Sequence, residues 1–325
     1  MAQNKIVVCG AGFIGKQIAR NLLSSPANRD TKRIVQLSSR NPTPLLQAVE
    51  KSVPKTSLYQ LRAVPLDITN PSTLAPAFEG AHTVISLVGI LHGKPSDFEK
   101  VQWRGAENVA ATARQAGARL IHISAIGANP NSDIAYWRTK GLGESAVLAA
   151  HPEATIIRPS LVFGPEDDFF NRFAKLARLL PVLPVFGGGN ARFQPVYVGD
   201  LAEAVEAMCR GDREIERAIS GKIMEAGGPR VFTYYELMET VLKYAHRYRP
   251  IISIPFWMGV LSGMFSERLP VNLFTITKDQ VKQLQYDNIV NPDLGPNGLS
   301  FDEFVQSHCS HPLTPLYKVV PSYLD

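Results

Sequence analysis

A glycine-rich turn between a strand and a helix constrains the fold of this chain more than any other sequence feature. The apolar, β-branched run over residues 5–9 predicts a buried strand, and a helical pattern of apolar residues begins at Lys16. Between them, Gly10, Gly12 and Gly15 have the spacing G-x-G-x-x-G. Glycines at these positions permit a tight turn, close approach of the backbone to a pyrophosphate, and close packing of the helix on the strand. The sequence therefore predicts a dinucleotide site.

Apolar runs alternate with helical patterns along the first half of the chain, which predicts a doubly wound α/β fold around a parallel sheet. We expect residues 1–160 to form the dinucleotide-binding domain, with elements around 190–230 returning to it. Residues 161–325 then form a smaller C-terminal α/β domain that binds substrate or partner and ends in an irregular tail from 291. The six predicted strands of the sheet are 5–9, 33–37, 59–66, 83–89, 120–124 and 154–158.

Composition excludes several classes of function. The net charge of the 325 residues is +5, but no run of Lys and Arg resembles a nucleic-acid-binding patch. The three cysteines are far apart in sequence, so they indicate neither a disulfide framework nor a zinc site. No window of 18 apolar residues predicts a transmembrane helix. The first strand begins by Lys5, which leaves no room for a leader peptide in the numbered chain; either none is needed or it was removed.

The ends of the predicted strands suggest which dinucleotide binds. The second strand ends in Ser38-Ser39-Arg40, where an acid would bind a ribose 2′-hydroxyl and an Arg would accommodate a 2′-phosphate. Arg40 therefore favours NADP over NAD, with NAD as the alternative. Asp67, after the third strand, either contacts the adenine or caps the turn before Pro71.

A Y-x-x-x-K pattern supplies the candidate catalytic residues. Tyr136 and Lys140 lie four residues apart at the start of a predicted helix, so both side chains project from one face. A nearby ammonium would stabilise the phenolate and make Tyr136 a better proton donor near neutral pH. Lys140 could also bond the hydroxyls of the nicotinamide ribose. His122, within the fifth strand, is interpreted as a core residue and not as a ligand.

Two stretches of the second half allow alternative interpretations. The acids of 166–168 lack histidine partners at metal-ligand spacing, so we interpret them as a helix N-terminus and not as a metal site. Residues 251–265 are dense in apolar and aromatic side chains. They form either a core helix of the smaller domain or an apolar lip that covers a lipophilic substrate or rests on a membrane or partner.

Several of these motifs together resemble the extended short-chain dehydrogenase/reductases. The likeness is to the atypical branch that contains the NADPH-binding alpha-subcomplex accessory subunit of respiratory complex I, its bacterial homologues and a fungal protein of coenzyme Q biosynthesis. It covers residues 5–290, and its most specific part is the run R-P-S-L-V-F-G-P-E-D-D-F-F-N-R-F at 158–173. The other matching motifs are the glycine-rich turn, Leu87-Val88-Gly89, His122-Ile123-Ser124-Ala125, the Y-x-x-x-K pattern and Gln194-Pro195-Val196-Tyr197-Val198.

The resemblance implies a cofactor site and also a departure from the family's catalytic pattern. The first glycine of the extended pattern is Cys9 here, the usual catalytic serine falls on Ala125, and the usual asparagine is Gln102. Only Tyr136 and Lys140 of the tetrad remain, and loss of one donor of this kind typically costs about a hundredfold in rate. The implied cofactor-binding residues are Gly10, Gly12, Phe13, Ile14, Gly15, Arg40, Asp67, Leu87, Val88, Gly89, Ser124, Tyr136, Lys140, Pro159 and Ser160.

These observations lead to a main hypothesis and its alternatives. The first is a mitochondrial NADPH-binding protein of ubiquinone metabolism, supporting coenzyme Q biosynthesis with a largely structural cofactor. An accessory subunit of complex I is the alternative within that class, and an active NADPH-dependent reductase of a lipophilic quinone-like or isoprenoid carbonyl is the enzymatic one. A nucleotide-sensing regulator is the last alternative. By resemblance, the protein lies on the matrix side of the mitochondrial inner membrane, or in the cytoplasm if its source is bacterial.

Overall fold

The structure is a computed structural model that describes residues 4–10, 12–25, 33–266, 273 and 275–324. The chain forms two compact units. The first unit contains residues 1–159, 198–226 and 291–312, and the second contains 160–197, 227–290 and 313–325.

The strands are β1 (Lys5–Cys9), β2 (Ile34–Ser39), β3 (Leu61–Pro65), β4 (Ala81–Ser86), β5 (Arg119–Ile123), β6 (Thr155–Pro159), β7 (Val162–Phe163), β8 (Leu183–Phe186), β9 (Arg192–Phe193), β10 (Val196–Tyr197), β11 (Ile223–Ala226), β12 (Phe232–Thr233) and β13 (Ile251–Ile254). The helices are α1 (Phe13–Ser24), α2 (Thr43–Glu50), α3 (Leu74–Phe78), α4 (Pro95–Phe98), α5 (Gly105–Gln115), α6 (Ala135–Ala150), α7 (Phe169–Leu179), α8 (Val198–Met208), α9 (Arg213–Ile219), α10 (Tyr234–Tyr244), α11 (Phe256–Ser266), α12 (Lys278–Gln283), α13 (Phe301–Cys309) and α14 (Leu316–Val319).

A parallel sheet of seven strands, in the order β11-β6-β5-β4-β1-β2-β3, organises the first unit. The predicted doubly wound fold is confirmed, and β11, which lies among the elements around 190–230, joins the sheet at its edge. The order reverses at β1, whose last residue, Cys9, pairs with Ser38 of β2 on one side and with Ser86 of β4 on the other. In open α/β sheets, ligands bind beyond the carboxyl ends of the strands at such a reversal.

Small residues let helices lie close to one face of this sheet. Val7, Val84 and Leu120 point to that face and pack against the alanines of α5. Residues 95–115 form a continuous helical stretch in which a π-helical turn, Glu99–Arg104, separates α4 from α5. A side chain at Gly143 of α6 would collide with the carbonyl oxygen of Gln102 in that turn. The glycine therefore fixes α6 closely against the π-helical turn.

The second unit is held together by an aromatic and aliphatic core between α7 and α10. Its strands form three pairs, β7 with β10, β8 with β13, and β9 with β12. The core also receives the end of the chain, where Leu316, Val320 and Leu324 are buried and Tyr323 Oη donates to Asp167 Oδ2 at 2.6 Å. This part of the predicted irregular tail is therefore helical and packed.

The remaining tail prediction is also wrong in detail, because residues 301–309 form α13 of the first unit. The apolar residues at helical spacing, Phe301, Phe304 and Val305, are buried, and Ser300 Oγ accepts from the amide of Glu303. The prolines among residues 291–325 thus lie outside this helix and do not interrupt it.

Polar side chains lie at the helix starts of the second half. The acids of 166–168 precede α7, as predicted for a helix N-terminus, and Asp167 Oδ1 accepts from the amide of Phe170 at 2.7 Å. Thr233 caps α10 in a reciprocal capping box with Glu236. Helix α8 begins at Val198, and Asp200 lies buried in its first turn. A carboxylate is favoured there as well, because helix N-termini carry partial positive charge.

The apolar stretch 251–265 is neither a single core helix nor a membrane span. Pro255 separates strand β13 from helix α11. Gly259 and Gly263 lie against Phe186 and Lys278, whereas Trp257, Met258 and Leu261 are exposed. No helix among the described residues is long and apolar enough to cross a membrane. The arrangement favours the apolar lip over the core helix.

Candidate functional site

The glycine-rich turn is tied to both strands that flank β1. Gly10 donates its amide to Ser38 O at 3.0 Å, and Leu87 donates to Cys9 O at 2.8 Å. Gly10 has φ +136°, a conformation that L side chains rarely adopt, and a Cβ there would lie 2.8 Å from Leu87 Cβ. A Cβ at Gly15 would collide with the Gly10 carbonyl oxygen. Two of the three glycines are therefore required by the packing of the turn itself.

Gly12 differs from the other two, because a Cβ at this position would meet no atom within 4 Å. It is the N-cap of α1, and no side chain caps the helix. Phe13 and Ile14 follow in the first turn and are half-buried. The first backbone amides of a helix attract anions when no side chain occupies them. This open, uncapped position has room for the pyrophosphate that the sequence predicts.

Arg40 and Asp67 lie at the ends of β2 and β3, on the adenosine side of the predicted site. Arg40 is exposed, and no acid ends β2. Asp67 Oδ1 accepts from the Thr69 amide at 2.9 Å and from its hydroxyl at 2.8 Å. The Thr69 amide is the main cause that lowers the Asp67 pKa, and the charge of Arg40 lowers it further. Of the two predicted roles, the structure gives Asp67 that of capping the turn.

Lys140 reaches from α6 to the ends of two central strands. Its Nζ donates to Ile123 O of β5 at 3.2 Å and lies 3.3 Å from the place that a Cβ on Gly89 would occupy. Burial lowers the pKa of Lys140 to about 8, although the charge of Glu144 raises it. Two motifs predicted separately, Lys140 and the glycine after β4, therefore meet in one place.

An ion-pair network that the sequence did not predict supports Lys140. Glu144 accepts from Arg158 through both oxygens, Oε1 from Nε at 2.9 Å and Oε2 from Nη2 at 2.6 Å. Arg158 also pairs with Glu225 of β11 at 3.4 Å. The arginine of the R-P-S motif is thus a structural residue of the first unit. The available signal was the spacing of Glu144, four residues after Lys140 on the helix.

Tyr136 is half-buried, and its ring meets Phe98 edge-on at 6.4 Å between centroids. Burial raises its pKa to about 12. The prediction that the Lys140 ammonium would lower this pKa is wrong, because desolvation of the phenol dominates and Lys140 Nζ donates instead to a backbone carbonyl. Within the described part of the chain, Tyr136 Oη has no hydrogen-bond partner, so it is available to a ligand.

Three buried polar side chains near the ends of β4 and β5 have atoms without a partner among the described residues: Ser124 Oγ, Gln102 Oε1 and both ring nitrogens of His122. Gln102 Nε2 donates to Ile90 O at 3.3 Å. Burial lowers the pKa of His122 to about 3, and the charge of Lys140 lowers it further, so the ring is neutral. His122 is buried, as predicted, but its proximity to Lys140 could not be predicted from the sequence. Orphaned buried polar atoms are expected where a ligand completes a site.

The residues of the first unit fit a dinucleotide. Gly12 and the start of α1 would hold the pyrophosphate, and Arg40 would lie at the adenosine ribose. Leu87, Val88, Gly89, Ser124 and Lys140 would surround the nicotinamide end, with Pro159 at the end of β6. Ser160 is part of the second unit, where its hydroxyl lies 2.6 Å from Asn288 Oδ1. Among the described residues, no group of His, Cys, Asp and Glu could hold a metal ion.

A matched pair of glycine variants separates the folding role of the turn from its binding role. Gly15→Ala must displace the Gly10 carbonyl, so we expect it to lower the free energy of unfolding by about 1–3 kcal/mol. Gly12→Ala meets open space and should change that free energy by less than about 0.5 kcal/mol. Gly12→Ala should nevertheless weaken NADPH binding about tenfold or more, because its Cβ takes the space of the pyrophosphate. Urea denaturation and NADPH fluorescence titration measure the two effects; wild-type affinity in Gly12→Ala would contradict the assignment.

The pKa of Lys140 can be tested by ¹⁵N NMR of its ammonium. We expect a midpoint near 8, and a lower one in Glu144→Gln, which removes the carboxylate that favours the charged form. Because the folded pKa lies below the unfolded value, the folded state binds fewer protons between about pH 8 and 10.5, and this group's contribution to stability rises with pH in that window. Glu107→Gln, at an exposed glutamate of α5, is the control. An unchanged midpoint in Glu144→Gln would refute the coupling.

Comparisons with known proteins identify the family of this chain. Residues 6–224 match the model of the NAD dependent epimerase/dehydratase family. NADH dehydrogenase [ubiquinone] 1 alpha subcomplex subunit 9, mitochondrial, from Arabidopsis thaliana is 31% identical over 255 residues, 76% of this chain and 62% of that protein. Ceramide reductase from Caulobacter vibrioides is 32% identical over 212 residues, 64% of this chain and 62% of that protein. The aligned region thus spans about three fifths of either relative.

A solved structure supports the same fold over the whole chain. UDP-glucuronic acid 4-epimerase from Bacillus cereus, in complex with UDP-glucuronic acid and NAD, has a TM-score of 0.70 at 16% identity, covering 99% of this chain and 98% of that one. The resemblance inferred from the sequence motifs is confirmed. The named relatives favour the complex I alternative and give no specific support to coenzyme Q biosynthesis. The chain belongs to the NAD-dependent epimerase/dehydratase family.

Proposed function

We propose that this protein holds NADP(H) as a firmly bound, largely structural cofactor and acts as an accessory subunit of an assembly of the respiratory complex I type, on the matrix side of the mitochondrial inner membrane. One observation carries the proposal: Gly12 leaves open space at the start of α1 and Lys140 reaches the end of β5, whereas the position of the usual catalytic serine is Ala125. The site therefore keeps the residues that would bind a dinucleotide, but it lacks the serine hydroxyl that would donate a hydrogen bond during turnover.

Arg40 supports NADP(H) over NAD(H) within an NAD-dependent family. It is exposed directly after β2, where the guanidinium would meet a 2′-phosphate, and β2 does not end in the acidic residue that would bind a ribose 2′-hydroxyl. A ligand that binds only the folded state stabilises it in proportion to the logarithm of its concentration over Kd. A tightly held dinucleotide would thereby stabilise the first unit without any reaction.

An exposed apolar strip on α11, formed by Trp257, Met258 and Leu261, supports a role in an assembly. These side chains are 67%, 45% and 50% exposed and lie on one side of the helix. On the other side, Gly259 and Gly263 permit close packing onto β8 and the start of α12. A helix that is fixed on one side and apolar on its exposed side is typical of a surface that a partner covers. The Arabidopsis relative, which is named as a complex I subunit, suggests the kind of partner.

The assembly role can be tested with a double variant of the strip. A tagged chain carrying Trp257→Ser and Leu261→Ser should lose co-migration with complex I on native gels of mitochondria from its own source, because the buried apolar contact is lost. Its melting temperature should stay close to that of the wild type. Tyr317→Ser with Leu179→Ser removes an equally exposed aromatic and leucine pair from other elements of the second unit and should leave co-migration intact.

Co-migration of the strip variant at wild-type level would contradict this use of α11. Failure of the wild-type chain itself to co-migrate would contradict the accessory-subunit proposal, whatever the cofactor result.

A second candidate is an NADPH-dependent reductase of a lipophilic carbonyl, which the relationship to ceramide reductase favours. Tyr136 and Lys140 lie one helical turn apart on α6, and the Tyr136 ring packs edge-on against Phe98. Bound NADPH would supply hydride. Tyr136 would donate a proton to the carbonyl oxygen, and Ser124 Oγ is the nearest hydroxyl in sequence to the missing serine.

Tyr136→Phe distinguishes the two candidates. If the protein is a reductase, this variant should lose about a hundredfold or more in kcat with a quinone or isoprenoid carbonyl, because the proton donor is removed. NADPH affinity should change little, and Tyr317→Phe, at an exposed tyrosine, should keep full activity. Full turnover in Tyr136→Phe would rule out the reductase mechanism. Its stability and co-migration with complex I should be unaffected under the accessory-subunit proposal.

A further inference from the structure

An open cavity in the first unit lies at the opposite edge of the sheet from the glycine-rich turn. It has a volume of about 430 Å³ and lies where β5 and β6 begin, beneath α9. Because the dinucleotide crevice is at the carboxyl ends of parallel strands, a cavity at their amino ends is a separate site. The lining residues used below are Arg119, His151, Glu153, Arg213, Glu216 and Arg217.

His151 lines this cavity with an incomplete set of hydrogen bonds. It is only 5% exposed, and its Nε2 lies 3.0 Å from the Ala118 carbonyl oxygen. That contact requires Nε2 to carry a hydrogen, and in the tautomer with its one hydrogen on Nε2 the Nδ1 atom is an acceptor. Nδ1 is buried and has no partner in the part of the chain that the structure describes. A buried acceptor without a donor is unfavourable, which points to a ligand with a hydroxyl.

The charges around the cavity favour an anion. Arg119 is engaged, since its Nη1 donates to Glu216 Oε1 at 2.8 Å and to Met208 O at 3.0 Å. Arg213 and Arg217 are exposed, four residues apart on α9, and form no ion pair with any described residue. Glu153 is the remaining carboxylate of the lining. Two guanidinium groups are therefore available against one carboxylate.

We propose that this cavity binds a small organic phosphate that carries a hydroxyl group. Arg213 and Arg217 would donate to the phosphoryl oxygens, for which the planar guanidinium fork is well suited. The ligand hydroxyl would donate to His151 Nδ1. The volume lies within the range of small-molecule sites in proteins. The proposal does not depend on the proposed function of the dinucleotide site.

The test is isothermal titration of the full chain with glycerol 3-phosphate and with inorganic phosphate. We expect saturable binding, tighter for glycerol 3-phosphate because inorganic phosphate lacks the glycerol hydroxyls. Arg213→Gln with Arg217→Gln should weaken it by about tenfold or more, since two charge-assisted hydrogen bonds are lost. Glu153→Gln should tighten binding, because it removes the one opposing carboxylate.

Two further variants locate the site. Lys51→Gln with Lys55→Gln removes the same charge from exposed positions of the first unit outside the cavity and should leave affinity unchanged. Gly12→Ala should also leave it unchanged, which distinguishes this cavity from the glycine-rich turn. The proposal would be overturned if the lysine pair lost as much affinity as the arginine pair, if Gly12→Ala lost affinity, or if the arginine pair kept it. Failure of binding to saturate at about 10 mM ligand would also overturn it.

Discussion

The contact between Gly15 and the carbonyl oxygen of Gly10 sets the geometry on which the candidate site depends. It leaves no room for a side chain, so α1 begins immediately beyond the end of β1. The sheet order reverses at that strand, with β2 on one side and β4 on the other. The uncapped start of the helix therefore lies at the carboxyl edge of the sheet, where backbone amides attract the phosphates of a nucleotide.

Lys140 connects this turn to the interior of the first unit. Its ammonium is held by a β5 carbonyl, and Glu144, one helical turn further along, is held by Arg158 of β6. The cost of burying the charge appears as a pKa lowered to about 8. The unpartnered Ser124 hydroxyl and Gln102 carbonyl oxygen lie on the elements around it. Under the proposed function, this cation and the unsatisfied polar atoms would receive the nicotinamide end of the ligand.

Local sequence signals predicted the sheet and the tight glycine-rich turn after β1 well. Glycine spacing and short β-branched runs are governed by nearest neighbours along the chain, and the strands lie within a few residues of their predicted bounds. The pKa of Tyr136 could not be predicted in this way, because burial by Phe98 and its surroundings outweighs a charge four residues away. The ion pair between Arg158 and Glu225 could not be predicted either, because the two residues are 67 positions apart in sequence. Pro255 marks in the sequence where residues 251–265 divide into a strand and a helix. The exposure of Trp257, however, depends on which face of α11 packs on β8.

Identification of the nucleotide bound to the purified protein tests whether the first unit holds NADP(H). The full chain is denatured, and any released nucleotide is identified by mass and quantified against protein, for the wild type and for Arg40→Gln. We expect the wild type to release NADP(H) at about one nucleotide per chain. The variant should release less NADP(H) and more NAD(H), because the 2′-phosphate loses its guanidinium partner. A protein that carries no dinucleotide, and whose melting temperature neither NADPH nor NADH raises, would contradict this expectation.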